Sequence, residues 1–154
     1  MKAAGVCLGA GVWICLGLVC LPTVAVAQTA PEKAIRSRQA AFYLMGQQMA
    51  RIKAGAAGGS ALEKSSLKLS AEVIEVLSRA VAEQFPAGSD QGTTKAKPDI
   101  WKEPARFKQL MQDLQSQAVK LQAAVRAGDP AEIKAAYGET SRSCKACHDD
   151  FKSP

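Results

Sequence analysis

Four stretches of this chain place apolar side chains three or four residues apart, and no other sequence feature constrains its fold as strongly. That spacing is typical of one face of an α-helix. We predict helices over about 31–54 and 60–82, a third that starts near 101–104 and ends before 128, and a fourth from 130. No stretch shows the alternation of apolar and polar side chains that marks a half-buried strand. The chain is therefore predicted to be all-α.

Each predicted helix has a row of residues that we expect to face a common core. The first row is Ile35, Phe42, Met45, Met49 and Ile52. The second is Leu62, Leu69, Val73, Val76 and Leu77. The third is Phe107, Leu110, Met111, Leu114, Ala118, Leu121 and Val125. The fourth is Ile133, Tyr137, Thr140, Cys144, Cys147 and Phe151.

The breaks between these stretches indicate how the helices connect. A glycine-rich run at 55–59 ends the first helix, and Ser60 begins a capping-box pattern for the second. Gly128 ends the third helix, and Asp129 is a suitable N-cap for the fourth. The longest break is 85–100, between the second and third helices. We predict an antiparallel up-down four-helix bundle.

The N-terminal segment is typical of a secretory signal peptide. Lys2 gives a positive start, 3–21 carry no charge, and Ala25–Ala27 form a small-residue cleavage pattern. We predict that residues 1–27 are removed during export to the periplasm and that 28–154 fold as one domain. A retained membrane anchor is the main alternative, because the uncharged run is long enough to span a bilayer. A lipid anchor at Cys20 is a weaker one.

The charge of the chain limits its partners. The net charge is +6, or +5 once Lys2 has left with the signal peptide. The basic residues are spread along helical faces with few aromatic residues between them, so we expect no nucleic-acid binding. We expect no membrane association after cleavage. An anionic redox partner is compatible with this charge.

The fourth helix contains the sequence Cys144-Lys-Ala-Cys-His148, a C-x-x-C-H signature for covalent haem attachment. Residues three and four positions apart lie on the same side of a helix. Cys144 and Cys147 can therefore each bond one vinyl group of the same haem, while His148 reaches the iron. We predict one covalently bound haem c at the C-terminal end of the bundle.

Three other interpretations of these residues fit the sequence less well. A tetrahedral zinc site needs four ligands, and the mature chain offers two Cys and its only His. A thioredoxin-type C-x-x-C accompanies a βαβ pattern, which is absent here. A disulfide between Cys144 and Cys147 would close almost no loop.

A single histidine leaves the sixth iron position open, filled by water, or filled by another donor. Met45, Met49 and Met111 are candidate ligands, although core packing is the commoner use of methionine.

Several segments of the mature chain resemble the cytochrome c′ family. They are Lys33–Met45, Phe85–Asp90, Lys95–Trp101 and Cys144–Phe151. The resemblance implies a left-handed four-helix bundle, often a homodimer through its first two helices, with a five-coordinate, high-spin haem. It also implies haem-pocket roles for four residues. Phe42 would cover the open iron face, Arg38 would contact a propionate, Gln39 would line the pocket, and Lys152 would shield the histidine side.

The position of Arg38 supports one of these roles independently. It lies on the same row as Phe42 and Met45, where an arginine needs an anion unless its side chain extends to solvent. Both interpretations of Arg38 remain open from the sequence. Thr94, Lys95 and Trp101 in the long loop are further pocket candidates.

Two functions fit these predictions. The first is one-electron transfer, with Lys145 and Arg142 either forming a basic rim for an acidic partner or simply facing solvent. The second is binding of nitric oxide, and less readily carbon monoxide, at an iron face covered by Phe42. We predict no enzymatic activity and no catalytic residue, because no second titratable group is placed beside the iron once His148 is a ligand.

Overall fold

A computed structural model describes residues 29–56 and 61–154. Four long helices run over Ala30–Gly55 (α1), Ala61–Ala80 (α2), Pro104–Ala127 (α4) and Pro130–Phe151 (α5). A 3₁₀ turn at Val81–Glu83 follows α2, and a single helical turn at Asp99–Lys102 (α3) precedes α4. The predicted signal peptide and the predicted cap Ser60 lie outside the described residues.

The long helices form a four-helix bundle, which confirms the predicted all-α fold. Extensive contacts join α1 to α2, α2 to α4, and α4 to α5. The fourth seam, between α1 and α5, is much more sparsely packed. Over the described ranges the structure has no strand, only an isolated bridge between Ala96 and Lys152. No helix in those ranges is long and apolar enough to cross a membrane.

Local sequence accounts for the helix ends. The Thr29 hydroxyl accepts from the Glu32 amide, and the Glu32 carboxylate accepts from the Thr29 amide, which completes a capping box at α1. The Asp129 side chain accepts from two amides of the first turn of α5, as predicted. Gly128 ends α4 with a φ of 83°, a conformation that glycine adopts at little cost.

The long third helix begins at Pro104, within the start range predicted for it near 101–104, and a separate single turn, α3, precedes it. The residue before a proline is disfavoured in the α-helical region, and Glu103, which precedes Pro104, has φ −119° and ψ 55°. The single turn of α3 therefore ends at Lys102, and α4 begins at Pro104. Because Pro104 is the first residue of α4, its missing N–H costs no helical hydrogen bond.

The predicted core faces of α1 and α4 agree with the structure, but that of α2 was wrong in part. Leu69 and Val76, predicted to face inward, are 61 % and 59 % exposed. The buried face of α2 instead contains small and polar residues beside two larger apolar ones. Its members are Leu67, Ser70, Ala71, Ile74, Glu75 and Ser78.

The chemistry of the buried α2 residues explains this difference. Small side chains such as Ala71 allow two helices to pack closely, and the Ser78 hydroxyl donates to the main-chain oxygen of Glu75 one turn earlier. The Glu75 carboxylate forms an ion pair with Arg79 at the edge of the bundle. A row defined only by large apolar residues therefore selects the wrong face of this helix.

Candidate functional site

The last two turns of α5 hold the three residues of the C-x-x-C-H signature. Cys147 and His148 line a cleft of about 640 Å³, whereas Cys144, one turn earlier on α5 and partly buried, is not part of its lining. The two thiols are free, with no disulfide between them. The structure thus brings two unpaired thiols and one imidazole to one side of a helix end, as the spacing predicts.

This cleft, called the haem cleft below, lies between α1, α5, the N-terminal part of α4 and the loop after the 3₁₀ turn. Its position corresponds to the sparsely packed seam between α1 and α5. Its apolar wall consists of Phe85, Ile100, Phe107 and Phe151. The Phe85 and Phe107 ring centroids are 4.8 Å apart and those of Phe107 and Phe151 5.6 Å, both in edge-on arrangements.

Phe42 faces His148 from the α1 side of the haem cleft. The two ring centroids are 6.3 Å apart and the rings are inclined at 76°. Phe42 is half-buried, with the Phe85 ring 6.5 Å away on its other side. The structure therefore puts an apolar ring opposite the imidazole, where the resemblance implies one.

Arg38 is enclosed, with 2 % of its surface exposed, so an extension to solvent does not occur. Its Nη1 donates to the main-chain oxygen of Gln84 at 3.1 Å and to the Ser89 hydroxyl at 2.7 Å. Its Nη2 donates to the main-chain oxygen of Ser89 at 2.5 Å and to the Thr94 hydroxyl at 2.7 Å. Arg38 thereby ties α1 to the loop that forms one wall of the haem cleft.

Among the residues that the structure describes, no carboxylate contacts the guanidinium of Arg38 directly. Burial lowers the pKa of its guanidinium, and the nearby Asp90 partly opposes this. The guanidinium carbon also lies 4.6 Å from the centroid of the Phe85 ring, a cation–π contact. A buried cation held only by neutral oxygens and an aromatic face leaves an anion in the cleft electrostatically favoured.

The other predicted pocket residues lie around the mouth of the haem cleft. The Gln39 amide donates to the main-chain oxygen of Thr93 at 2.8 Å, and Thr94, besides accepting from Arg38, accepts from the Ala96 amide. Lys95 and Lys152 line the cleft near His148. Trp101 does not line it. Its indole donates to the main-chain oxygen of Phe85 at 3.1 Å and so supports the wall from behind.

Burial changes the acid–base behaviour of the signature residues. It raises the pKa of the Cys144 thiol, and it raises that of Cys147 to about 11, with smaller contributions from Cys144 and Asp150. Reactive redox cysteines need a lowered pKa, so this environment does not suit thiol–disulfide chemistry. Burial, followed by the charge of Lys152, lowers the pKa of His148 and favours the neutral imidazole that binds metals.

None of the three candidate methionines lines the haem cleft. Met45 and Met111 are buried in an apolar cluster with Ala41 and Val81. Met49 packs, partly buried, against a second cluster around Ile52. Core packing therefore accounts for all three positions.

Eight residues that line the cleft were not predicted as site residues: Tyr43, Phe85, Gly92, Thr93, Ala96, Ile100, Phe107 and Phe151. Tyr43 and Thr93 line its mouth, and Phe85 lies at the centre of its aromatic wall. The available signal for Tyr43 was its spacing of four residues from Gln39 on α1, which puts the two on one side of the helix. Phe85 and Thr93 lie in the long loop, whose path no periodicity describes.

The predicted basic rim on α5 is neutralised by nearby acids. Arg142 pairs with Glu139, and Lys145 pairs with Asp149 one turn later. Both are exposed i,i+3 or i,i+4 pairs, which are common on helix surfaces. These two basic residues therefore carry little net charge for a partner.

Comparison with known proteins identifies the family of this chain. The family described as cytochrome c′ matches residues 33–152. The chain belongs to the cytochrome c′ family. It is therefore a c-type haem protein with covalently attached haem c, and the free thiols, imidazole and apolar cleft described above fit that group in size and donor chemistry.

Relatives and solved structures agree with this assignment. The cytochrome c′ of Alcaligenes xylosoxydans xylosoxydans is 38 % identical over 79 % of this chain and 94 % of its own. The crystal structure of the Rubrivivax gelatinosus cytochrome c′ is 37 % identical, with a TM-score of 0.73 over 82 % of this chain and 98 % of that one. A ferrous variant of Alcaligenes xylosoxidans cytochrome c′ with bound nitric oxide is 37 % identical, with a TM-score of 0.74 over 83 % and 99 %.

We predict that Arg38→Met lowers the free energy of unfolding by about 3 kcal/mol, because Ser89, Thr94 and Gln84 lose a buried donor. The reduction potential should fall as well, since removal of a positive charge near the iron favours the ferric state. Urea unfolding and a redox titration of the haem-loaded protein measure both effects.

Arg38→Lys is the control. This variant should have a reduction potential close to that of the unchanged protein, because the positive charge is kept. It should keep only part of the stability, because an ammonium cannot form all the hydrogen bonds of the planar guanidinium. Unchanged stability in Arg38→Met would show that the loop is held by other contacts.

Proposed function

We propose that the haem is attached through Cys144 and Cys147, that His148 is its axial ligand, and that the protein is a one-electron carrier of the periplasm. When bound, the haem supplies an iron that gains and loses one electron and has an open coordination position. The observation that carries this proposal is the pairing of His148 with an apolar ring, Phe42, across the haem cleft. A histidine opposite a phenylalanine provides one strong ligand and excludes a second from that side.

The rest of the cleft supports a five-coordinate, high-spin iron. Met45, Met49 and Met111 are outside its lining, and His148 is the only histidine of the chain. The two lysines in the lining, Lys95 and Lys152, also share a second recess with His148, and so lie on the histidine's own side. The Phe42 side of the described cleft thus offers no strong nitrogen or sulfur donor.

A second function is favoured by the same arrangement. An open iron position beside Phe42 admits a diatomic gas, and because the Phe42 ring donates no hydrogen bond to stabilise bound dioxygen, this position favours nitric oxide. Three of the similar structures are nitric oxide complexes of variants of the Alcaligenes xylosoxidans protein. We propose nitric oxide binding as the alternative role, with carbon monoxide as a weaker ligand. Neither role requires enzymatic turnover.

Visible absorption spectra of the ferric and ferrous protein test the coordination state. We expect high-spin spectra in both oxidation states, followed by a clear spectral change when nitric oxide is added to the ferrous form. A low-spin spectrum in the ferrous form would indicate a sixth protein ligand and would contradict the gas-binding role. Reversible oxidation and reduction in the same cuvette tests the carrier role separately.

Exposed large apolar side chains on α1 and α2 support a homodimer. Leu44, Leu69 and Val76 are each more than two-fifths exposed, although large apolar side chains are usually buried. We propose that these residues form the contact between two copies of the chain. Sedimentation that finds only monomers at micromolar concentration would rule this contact out.

A further inference from the structure

The last turn of α5, which carries His148, ends with main-chain oxygens that need donors from outside the helix. The last carbonyls of any helix have no amide one turn further along to bond. The His148 oxygen still has a helical partner, because the Lys152 amide donates to it at 3.1 Å. The next three oxygens, those of Asp149, Asp150 and Phe151, do not continue this pattern.

The path of the chain and its sequence explain why the helical donors are missing. The Asp149 oxygen would bond the amide of Ser153, but that amide donates to the Lys95 oxygen at 2.8 Å instead. The Asp150 oxygen would bond the amide of Pro154, and proline has no N–H. The end of α5 therefore depends on a donor from elsewhere in the chain.

One residue of the long loop, Lys97, supplies all three bonds. Its main-chain amide donates to the Phe151 oxygen at 2.9 Å. Its ammonium donates to the main-chain oxygens of Asp149 and Asp150 at 3.0 and 3.1 Å. A cation at a helix C-terminus also interacts favourably with the helix dipole. Lys97 is thus the C-terminal cap of α5, although it belongs to the loop before α3.

Local sequence helps to place Lys97 beside the end of α5. It precedes Pro98, and the residue before a proline favours an extended conformation. Ala96 and Lys152 form an isolated antiparallel bridge, so the loop and the C-terminal segment run side by side. The Lys97 side chain is partly buried and is not part of the lining described for the haem cleft. It therefore acts on the helix and not on the space for the cofactor.

The His148 side chain has no hydrogen bond of its own to orient it. Over 29–56 and 61–154, its ring contact is with Phe42, and no donor or acceptor bonds either ring nitrogen. Metal-binding histidines usually donate their second ring N–H to a fixed acceptor, which sets the orientation of the ring. Without such an acceptor, the orientation depends on the backbone of the last turn, and helix ends open more readily than helix interiors.

We propose that Lys97 is a positioning residue for His148. By capping the last turn of α5, it holds the backbone from which the imidazole extends, and so keeps that ring aligned with the iron. This inference rests on the proposed axial role of His148. It names the residue on which the strength of the bond between iron and imidazole depends.

Lys97→Met tests this role, because it keeps the unbranched side chain and the main-chain bond to Phe151 but removes the two ammonium bonds. Resonance Raman spectroscopy of the ferrous, haem-loaded protein measures the iron–imidazole stretching band. We expect this band to broaden and to shift to lower frequency in Lys97→Met, since a turn that opens more often aligns the ring less well. Hydrogen exchange of the C-terminal peptide, measured by mass spectrometry, should become about tenfold faster.

Matched variants separate the helix cap from the charge. Lys97→Arg keeps a cation with several N–H donors and should restore the band of the unchanged protein. Arg106→Met removes an equal charge from the same turn, where Arg106 pairs with the Asp150 carboxylate at 3.2 Å, and should leave the band in place. Equal shifts in Lys97→Met and Arg106→Met would overturn the proposal. If Lys97→Met is not recovered with haem, Lys97→Gln is measured in its place and should show a smaller shift in the same direction.

The unchanged protein and His148→Ala distinguish failure of this proposal from failure of the proposed ligation. An iron–imidazole band that is present in the unchanged protein and absent in His148→Ala supports the axial role. If the band is then identical in Lys97→Met, only the positioning role is wrong. If the unchanged ferrous protein has no such band, the proposed five-coordinate iron with His148 as its ligand is wrong, and the positioning role with it.

Discussion

Replacement of Cys147 with Ala is expected to prevent stable maturation, because one of the two thioether bonds that hold the haem cannot form. His148→Ala should behave differently. Both cysteines remain in that variant, so covalent haem is expected, with iron ligation altered or lost. Comparison of the two variants therefore separates covalent attachment of the haem from ligation of its iron.

Mass spectrometry of the periplasmic product measures the first of these effects directly. The unchanged protein and His148→Ala should each have the mass of a chain beginning at Gln28 plus one haem. Cys147→Ala should give little or no such species. Ser143→Ala, a change beside the signature on α5, is the control and should be loaded normally. A mature chain from Gln28 without an added haem would contradict the attachment site, whereas a retained N-terminal segment would contradict only the predicted cleavage.

Replacement of Phe42 with Ala is expected to raise the carbon monoxide affinity of the ferrous protein by about tenfold or more, equivalent to about 1.4 kcal/mol. The Phe42 ring faces His148 at 6.3 Å between ring centroids, so a ligand entering from that side must displace it. Nitric oxide forms a stronger bond with iron and should bind both proteins. Flash photolysis and equilibrium titration with carbon monoxide measure the effect.

The stability of the Phe42 variant must be measured alongside its affinity. Removal of a large aromatic side chain costs about 3 kcal/mol when the surroundings do not collapse. Phe42→Leu is one control, since it keeps an apolar cover and should keep the affinity low. Phe151→Leu is the other, because it changes the cleft wall without opening the face opposite His148. An unchanged affinity in Phe42→Ala would assign the covering role to a different residue of the cleft lining, and Tyr43 would be tested next.

The sequence predicted the fold well where large apolar residues alone define one helix face. On α4, the residues from Leu110 to Val125 repeat with the helical period, and all six from Leu110 onward in the predicted row are buried. On α2 the prediction failed because Ser70, Ala71 and Ser78 are buried while Leu69 and Val76 are exposed. Helical periodicity in a sequence identifies the buried face of a helix only when the buried residues are also the large apolar ones.

The candidate site was predictable to the extent that it depends on spacing along a helix. Cys144, Cys147 and His148 share a side of α5, and Phe42 shares α1 with Arg38 and Gln39, so helical geometry groups them. Their roles remain predictions. The wall formed by Phe85 and Thr93 was not predictable, because it depends on how Arg38 holds the loop. That arrangement results from tertiary hydrogen bonds with residues about fifty positions away, such as Ser89 and Thr94.

The sparsely packed seam between α1 and α5 has a consequence for folding. A bundle that closes three of its seams with side chains and leaves the fourth partly open has an incomplete interior until another molecule occupies it. The cofactor of this family, held at the C-terminal end of α5 and facing Phe42 on α1, would then serve as the missing interior layer. It would join the first and last helices of the chain. Thioether bonds keep a covalent haem on the chain when the bundle unfolds, so the stabilisation comes from contacts that form only in the folded state. We therefore expect the haem-loaded chain to resist unfolding more strongly than the same chain without haem.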